Sequence, residues 1–141
     1  MFEELERQGF IKKFPVDQRT VLAANDLACR DLKTARIILV NDNDWAYTIA
    51  YNAVLQAGRA LMFSRGYRPA GANQHISVVK FSGLFLQKKD AIIFDRMRRK
   101  RNNSVYDIAG SITLSEAEFA VNQAEILVKI IEAFLLPARE D

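Results

Sequence analysis

Ala46-Tyr47-Thr48-Ile49-Ala50-Tyr51-Asn52-Ala53-Val54-Leu55-Gln56-Ala57-Gly58-Arg59-Ala60-Leu61-Met62-Phe63-Ser64-Arg65-Gly66 is the stretch that decides the fold. Two apolar stripes run through it at helical spacing. Ala46, Ile49, Ala53, Ala57, Ala60 and Ser64 form a small-residue stripe. Tyr47, Tyr51, Val54, Gly58 and Met62 form a larger, partly aromatic one. Charge is nearly absent from Asp44 to Arg59. A helix that is apolar on most of its circumference is buried on most of it. The stretch therefore predicts a central helix, capped by Asp44 and ended at Gly66, where a left-handed residue stops a helix without strain. Its small stripe invites close approach by a neighbouring helix. Its apolar excess predicts a second subunit covering part of Tyr47, Tyr51 and Met62, or else the face around Arg101.

Working outward, the flanking segments read as more helix. Residues 2–8 form a short acidic helix stopped by Gly9. Pro15 then marks a connector, because the residue before proline avoids helical geometry. Asp17 caps a long helix reaching about Val40, with Val21, Ala24, Ala28, Leu32, Ala35 and Leu39 spaced by three and four. Asn41-Asp42-Asn43 is turn chemistry, and Tyr67-Arg68-Pro69-Ala70-Gly71-Ala72 reads as a loop. A third helix runs from about Asn73 to Gln87. Asp90 caps a fourth, reaching about Ile108. Ser115-Glu116-Ala117-Glu118 has the form of a capping box, with Leu114 and Phe119 as its hydrophobic staple. That last helix extends to Leu136 and ends at Pro137. No useful length alternates with period two. The fold class is all-α: one domain, an antiparallel bundle of four to five helices over residues 17–136, preceded by a short helix and connector over residues 1–14.

Composition narrows the function. The chain has 141 residues, 50% hydrophobic and 26% charged, the balance of one folded domain and not of a disordered or fibrous chain. No run reaches the roughly 18 apolar residues of a membrane span. Met1-Phe2-Glu3-Glu4-Leu5-Glu6 is acidic where an export signal would be basic and then apolar, so a cytoplasmic setting without membrane partners is expected. The single cysteine, Cys29, excludes an internal disulfide and reads as a small core filler. The single histidine, His75, excludes a multi-histidine metal centre, and no cofactor is expected. His75 reads as a capping or partly buried residue, with a cleft-facing role as the alternative. Trp45 reads as a core anchor. Tyr47 and Tyr51 read as core or dimer contacts.

Charge is unevenly distributed. Residues 72–108 carry eight basic and three acidic side chains, net +5, whereas residues 109–141 carry two and six, net −4. The excess centres on Arg96, Arg98, Arg99, Lys100 and Arg101, followed by Asn102, Asn103, Ser104 and Tyr106. Such a run can be simply a solvated face. Three poor helix formers in a row gain a structural helix nothing, however. Arginine forks beside asparagine amides suit a phosphate or a polyphosphate chain. Arg98 and Arg101 lie one turn apart on one face. Arg101 and Tyr106, roughly 140° apart on an ideal helix, converge only if the helix is distorted or two subunits contribute.

These residues carry a family resemblance. Tyr51 to Pro69, with Ala-Arg-Ala-Leu at 57–61 interrupted by Gly58 and a Gly-Tyr-Arg-Pro turn at 66–69, resembles the second helix of HEPN-domain proteins. The segment 96–107 resembles that family's signature, in which an Arg, often followed by a polar residue, precedes a His. Arg101 and Asn102 match the first two positions, and Tyr106 occupies the place of the His. The resemblance covers roughly residues 17–136. It implies a two-fold homodimer with both signatures in one basic cleft, acting on RNA or nucleotides. It implies a metal-independent ribonuclease, often a toxin paired with a minimal nucleotidyltransferase or another antitoxin, or else a relative that binds without cleaving. Arg101 would hold the scissile phosphate, Asn102 would orient it, and Tyr106 would act as a hydrogen-bond donor or weak acid. Arg96, Arg98, Arg99 and Lys100 would contact the phosphate backbone. A plainer alternative is a helical adaptor whose basic strip meets an acidic protein surface.

Overall fold

Asp42, not Asp44, starts the central helix. Its extended backbone and its carboxylate, accepting from the Trp45 backbone N–H at 3.0 Å, cap the helix that runs Asn43–Ser64. Asp44 sits in the first turn, and its Oδ2 accepts from the Gly110 backbone N–H at 2.6 Å. The helix ends as the sequence predicts, with Gly66 left-handed at φ +83°.

The structure, a computed structural model, describes residues 1–102 and 110–135. Within them the order is α1 Glu3–Arg7, β1 Ile11–Lys13, α2 Gln18–Ile38, α3 Asn43–Ser64, β2 Tyr67–Pro69, α4 Gln74–Ser82, α5 Lys88–Lys100 and α6 Leu114–Ala133. The expected ends at Ile108, Leu136 and Pro137 lie outside the described residues. The architecture is the all-α bundle. α3 is its centre, packed most extensively on α2 and α6 and touched by α4 and α5. The predicted stripe of α2 is buried at Val21, Ala24, Ala28, Ala35 and Leu39. Both stripes of α3 are buried except for half-exposed Ile49. No helix among the described residues is long and apolar enough to cross a membrane.

Several expectations are corrected. Tyr47, Tyr51 and Met62 are already buried within one chain, at 6%, 1% and 0% exposure, so little of these three is left for a second subunit to cover. The excess is absorbed because α3 is surrounded. Trp45 is 55% exposed and anchors no core, because Ala46 and Tyr47 take the inward positions of that turn. Tyr67–Pro69 is a strand: it pairs antiparallel with β1, Ile11 opposite Pro69 and Lys13 opposite Tyr67. Three-residue strands are too short for a period-two signal. The expected helix over 73–87 is shorter. Asn73 caps α4, its Oδ1 accepting from the Ile76 N–H at 3.2 Å, and the chain turns after Ser82. Asp90 does not cap α5; it lies inside the first turn and is buried. The capping box is present but two residues early. Thr113 caps α6, with Glu116 returning to the Thr113 N–H at 2.9 Å. The residues in the staple positions are then Ile112 and Ala117, both buried, while Leu114 and Phe119 are half exposed.

α5 is held in orientation by two fully covered side chains. Phe94 and Met97 are buried, and Phe94 tilts against Tyr51 with ring centroids 6.1 Å apart. Burying a side chain of that size stabilises by about 1.5–3 kcal/mol. This fixes the direction of every cation on the helix.

Candidate functional site

With Phe94 and Met97 inward, an ideal helix at about 100° per residue aims Arg101 between them and Arg98 just beside them. The guanidinium of Arg101 accordingly lies over the Tyr51 ring, 5.9 Å from its centroid. The winding widens to a π-type turn at Arg101 and Asn102, and Arg101 Nη1 donates to Asn102 Oδ1 at 3.1 Å. The distortion considered from the sequence therefore begins where the chemistry was expected. Tyr106, with Asn103 and Ser104, lies outside the described residues.

The other cations diverge. Arg98 is largely covered, its side chain 13% exposed, and donates to Asp95 Oδ1 through Nε at 3.0 Å; Arg99 reaches the same carboxylate at 3.2 Å. Lys100 pairs with Glu116 of α6 at 3.0 Å. Arg96 and Lys100 line a separate cleft of about 330 Å³ walled by Tyr47, Ile93, Met97 and Phe119. Its lining is mostly apolar and its lysine is already paired. The cations of the basic run thus have different partners rather than one common face.

His75 completes the Arg101 face from another helix. It stands in the first turn of α4, half-buried, with Nδ1 3.0 Å from the Tyr51 hydroxyl. Its pKa falls below the ordinary 6.5, first because burial penalises the charged ring and then because Arg101, Arg98 and Arg59 repel a further charge. The partly buried reading near a helix start holds, and the ring also lines a small cleft. His75 and Arg59 line a cleft of about 130 Å³ with Leu55, Pro69, Gln74 and Val78. Arg59 has no carboxylate partner among the described residues; its nearest polar contact is Gln56 Oε1 at 3.5 Å, and it lies over Phe63. Burial pushes the Tyr51 phenol well above its usual 10, with Arg101 and Arg98 pulling the other way.

Sequence reasoning missed the role of Tyr51 and Arg59. The available signal was their spacing, since Tyr51, Leu55 and Arg59 follow one another at four-residue steps on one face. Nothing local links His75 to Tyr51; the strand pairing and the α3–α4 packing bring them together.

The HEPN domain family matches residues 26–134. The chain belongs to the HEPN family. The matched HEPN domain runs from within α2 to the end of α6 and so contains Tyr51, His75, Arg98, Arg101 and Asn102. HEPN domains are often associated with ribonuclease or nucleotide-related functions. No curated protein matches the chain.

Proposed function

We propose that this HEPN protein acts on RNA or a nucleotide through a phosphate group, as a metal-independent ribonuclease of a toxin–antitoxin-like pair. The observation that carries the reading is geometric: Arg101 lies over Tyr51, whose hydroxyl is 3.0 Å from His75 Nδ1, and Arg59 lines the same cleft as His75. Cations held by packing beside a neutral hydrogen-bonding ring suit the charge of a phosphate. Arg101 is the phosphate ligand and Asn102 its orienting partner. The homodimer and the nucleotidyltransferase or other antitoxin partner rest on the family resemblance alone.

Binding without cleavage is the second reading. One observation favours it: Arg98, Arg99 and Lys100 are already paired with carboxylates, which suits a small phosphate site better than a long RNA track. The deciding experiment is RNA cleavage by purified protein in a chelator. Activity lost in Arg101→Ala establishes the ribonuclease. RNA binding lost in Arg101→Ala, with no cleavage by either protein, establishes the binding module. A protein that cleaves no RNA and binds neither RNA nor a nucleotide overturns both.

A further inference from the structure

The Tyr51 hydroxyl settles which nitrogen of His75 carries the proton. The phenol is buried and neutral, and its one hydrogen-bond partner is His75 Nδ1 at 3.0 Å. A buried O–H needs an acceptor, and among the described residues that ring nitrogen is the one within reach. The hydroxyl therefore donates to Nδ1, and the neutral ring carries its proton on Nε2. Among the described residues, Nε2 makes no hydrogen bond and is not counted with the buried unpartnered atoms. It is an oriented donor left for something outside the fold.

The surroundings say what that something is. Arg59 shares the cleft with His75, and its Nε is buried without an acceptor. Arg101 lies over the same tyrosine that orients His75. The guanidinium of Arg59, the Nε2–H of His75 and the amide of Gln74 are donors from two helices around one cleft of about 130 Å³. A group with several acceptor oxygens and negative charge satisfies them together.

We infer that His75 is a phosphate ligand of this HEPN protein, its Nε2–H donating to a phosphoryl oxygen that Arg59 holds by charge in the cleft the two share. The inference rests on the proposed phosphate-directed function and adds a residue from α4, outside the arginine-bearing helix. The shared chemistry is a phosphoryl oxygen, whether from an RNA phosphodiester or from a small phosphorylated molecule. The charged and titratable groups facing the ring are Tyr51 and Arg59 from α3, and Arg98 and Arg101 from α5.

The chain has one histidine, so every imidazole resonance belongs to His75. In the free protein, nitrogen-15 spectra should show a protonated Nε2 and an unprotonated Nδ1. Titration with a mixed-sequence RNA dodecamer, and separately with inorganic phosphate, should shift Nε2–H and raise the ring's titration midpoint. A response to RNA alone assigns the phosphodiester; a response to phosphate as well assigns a small phosphoryl ligand. Folded His75→Ala should bind RNA about tenfold or more weakly, the cost of a hydrogen bond to a charged group. His75→Gln, which keeps an acceptor for Tyr51 and an amide donor, should recover part of that loss. RNA binding that is unchanged in both variants, with imidazole signals that no probe moves, would overturn the role of His75. The proposed function would then stand, provided Arg101→Ala still abolishes RNA binding. If neither probe binds the wild-type protein, both fall.

Discussion

Gly58→Ala tests how the site is positioned. A Cβ at residue 58 would lie 2.5 Å from Val78 Cγ1 and 2.8 Å from Ser82 Oγ, both on α4. Carbon atoms in contact prefer roughly 3.5–4.0 Å, so α4 must retreat by about 1 Å. Val78 cannot swing aside, because a β-branched residue in a helix has essentially one rotamer. Overpacking of this kind costs about 1–3 kcal/mol, against about 1 kcal/mol gained by replacing a mid-helix glycine. The net loss is about 0–2 kcal/mol, a fall in melting temperature of up to roughly 10 °C for a chain of this size. α4 also carries His75. A retreat of that size would take the 3.0 Å contact with Tyr51 beyond hydrogen-bonding distance. The nitrogen-15 signature of the Nε2–H tautomer should then blur in the folded variant. Gly83→Ala is the control: the nearest atoms to its Cβ are 3.4 Å away and its backbone is already helical, so it should be neutral or slightly stabilising. Calorimetry and imidazole spectra on the two variants decide the matter. A Gly58→Ala protein that melts at or above wild type, with an unmoved His75 signal, would refute the reasoning.

Thr113→Ala should lower stability by about 1 kcal/mol through loss of the α6 cap, whereas Ser115→Ala should leave the melting temperature nearly unchanged. Equal effects would return the cap to Ser115. Burial, with the Glu116 charge behind it, pushes the Tyr47 phenol up to about 12, so the stability it confers is full below pH 10 and lost as pH rises toward 12. Phenolate absorbance should show Tyr47 ionising late, together with unfolding. His75 titrates below 6.5 in the folded state, so the unfolded chain takes its proton first and stability falls as pH drops through and below that value. Chemical denaturation of His75→Gln across this range should show a shallower acid loss than wild type; an unchanged slope would mean the ring is not desolvated.

Much of the fold was legible because α2, α3 and α6 announce themselves through long periodic stripes. Val21 to Leu39 and Ala46 to Met62 needed only spacing to be assigned inward. Caps were less legible. Asp42 and Asp44, or Thr113 and Ser115, are chemically equivalent candidates two residues apart, and the choice depends on where the backbone turns extended. The β1–β2 pair was illegible, since three residues carry no period and their partners lie far apart in sequence. The site was half legible. Arg101 and Asn102 could be singled out from composition and family likeness. Arg59, Tyr51 and His75 could not be joined to them, because their convergence is a product of α3, α4 and α5 packing together.

Formal charge overstates what the basic run can offer an anion, and the excess has a measurable consequence. Of the five cations between Arg96 and Arg101, Arg98, Arg99 and Lys100 are paired with Asp95 or Glu116. Arg96 lines the apolar cleft. The proposed site instead combines Arg101 with Arg59, which comes from another helix altogether. For single-stranded nucleic acid, the slope of log affinity against log salt is about −0.7 per phosphate neutralised. A strip that used all five cations would give a slope near −3.5, and a site built on Arg59 and Arg101 one near −1.4. Arg59→Ala should then halve the slope, although residue 59 lies far outside the basic run, while Lys100→Ala should leave it almost unchanged. A slope near −3.5 that responds to Lys100 and ignores Arg59 would mean that RNA pulls the ion pairs apart and follows the helix, against the convergent site described above.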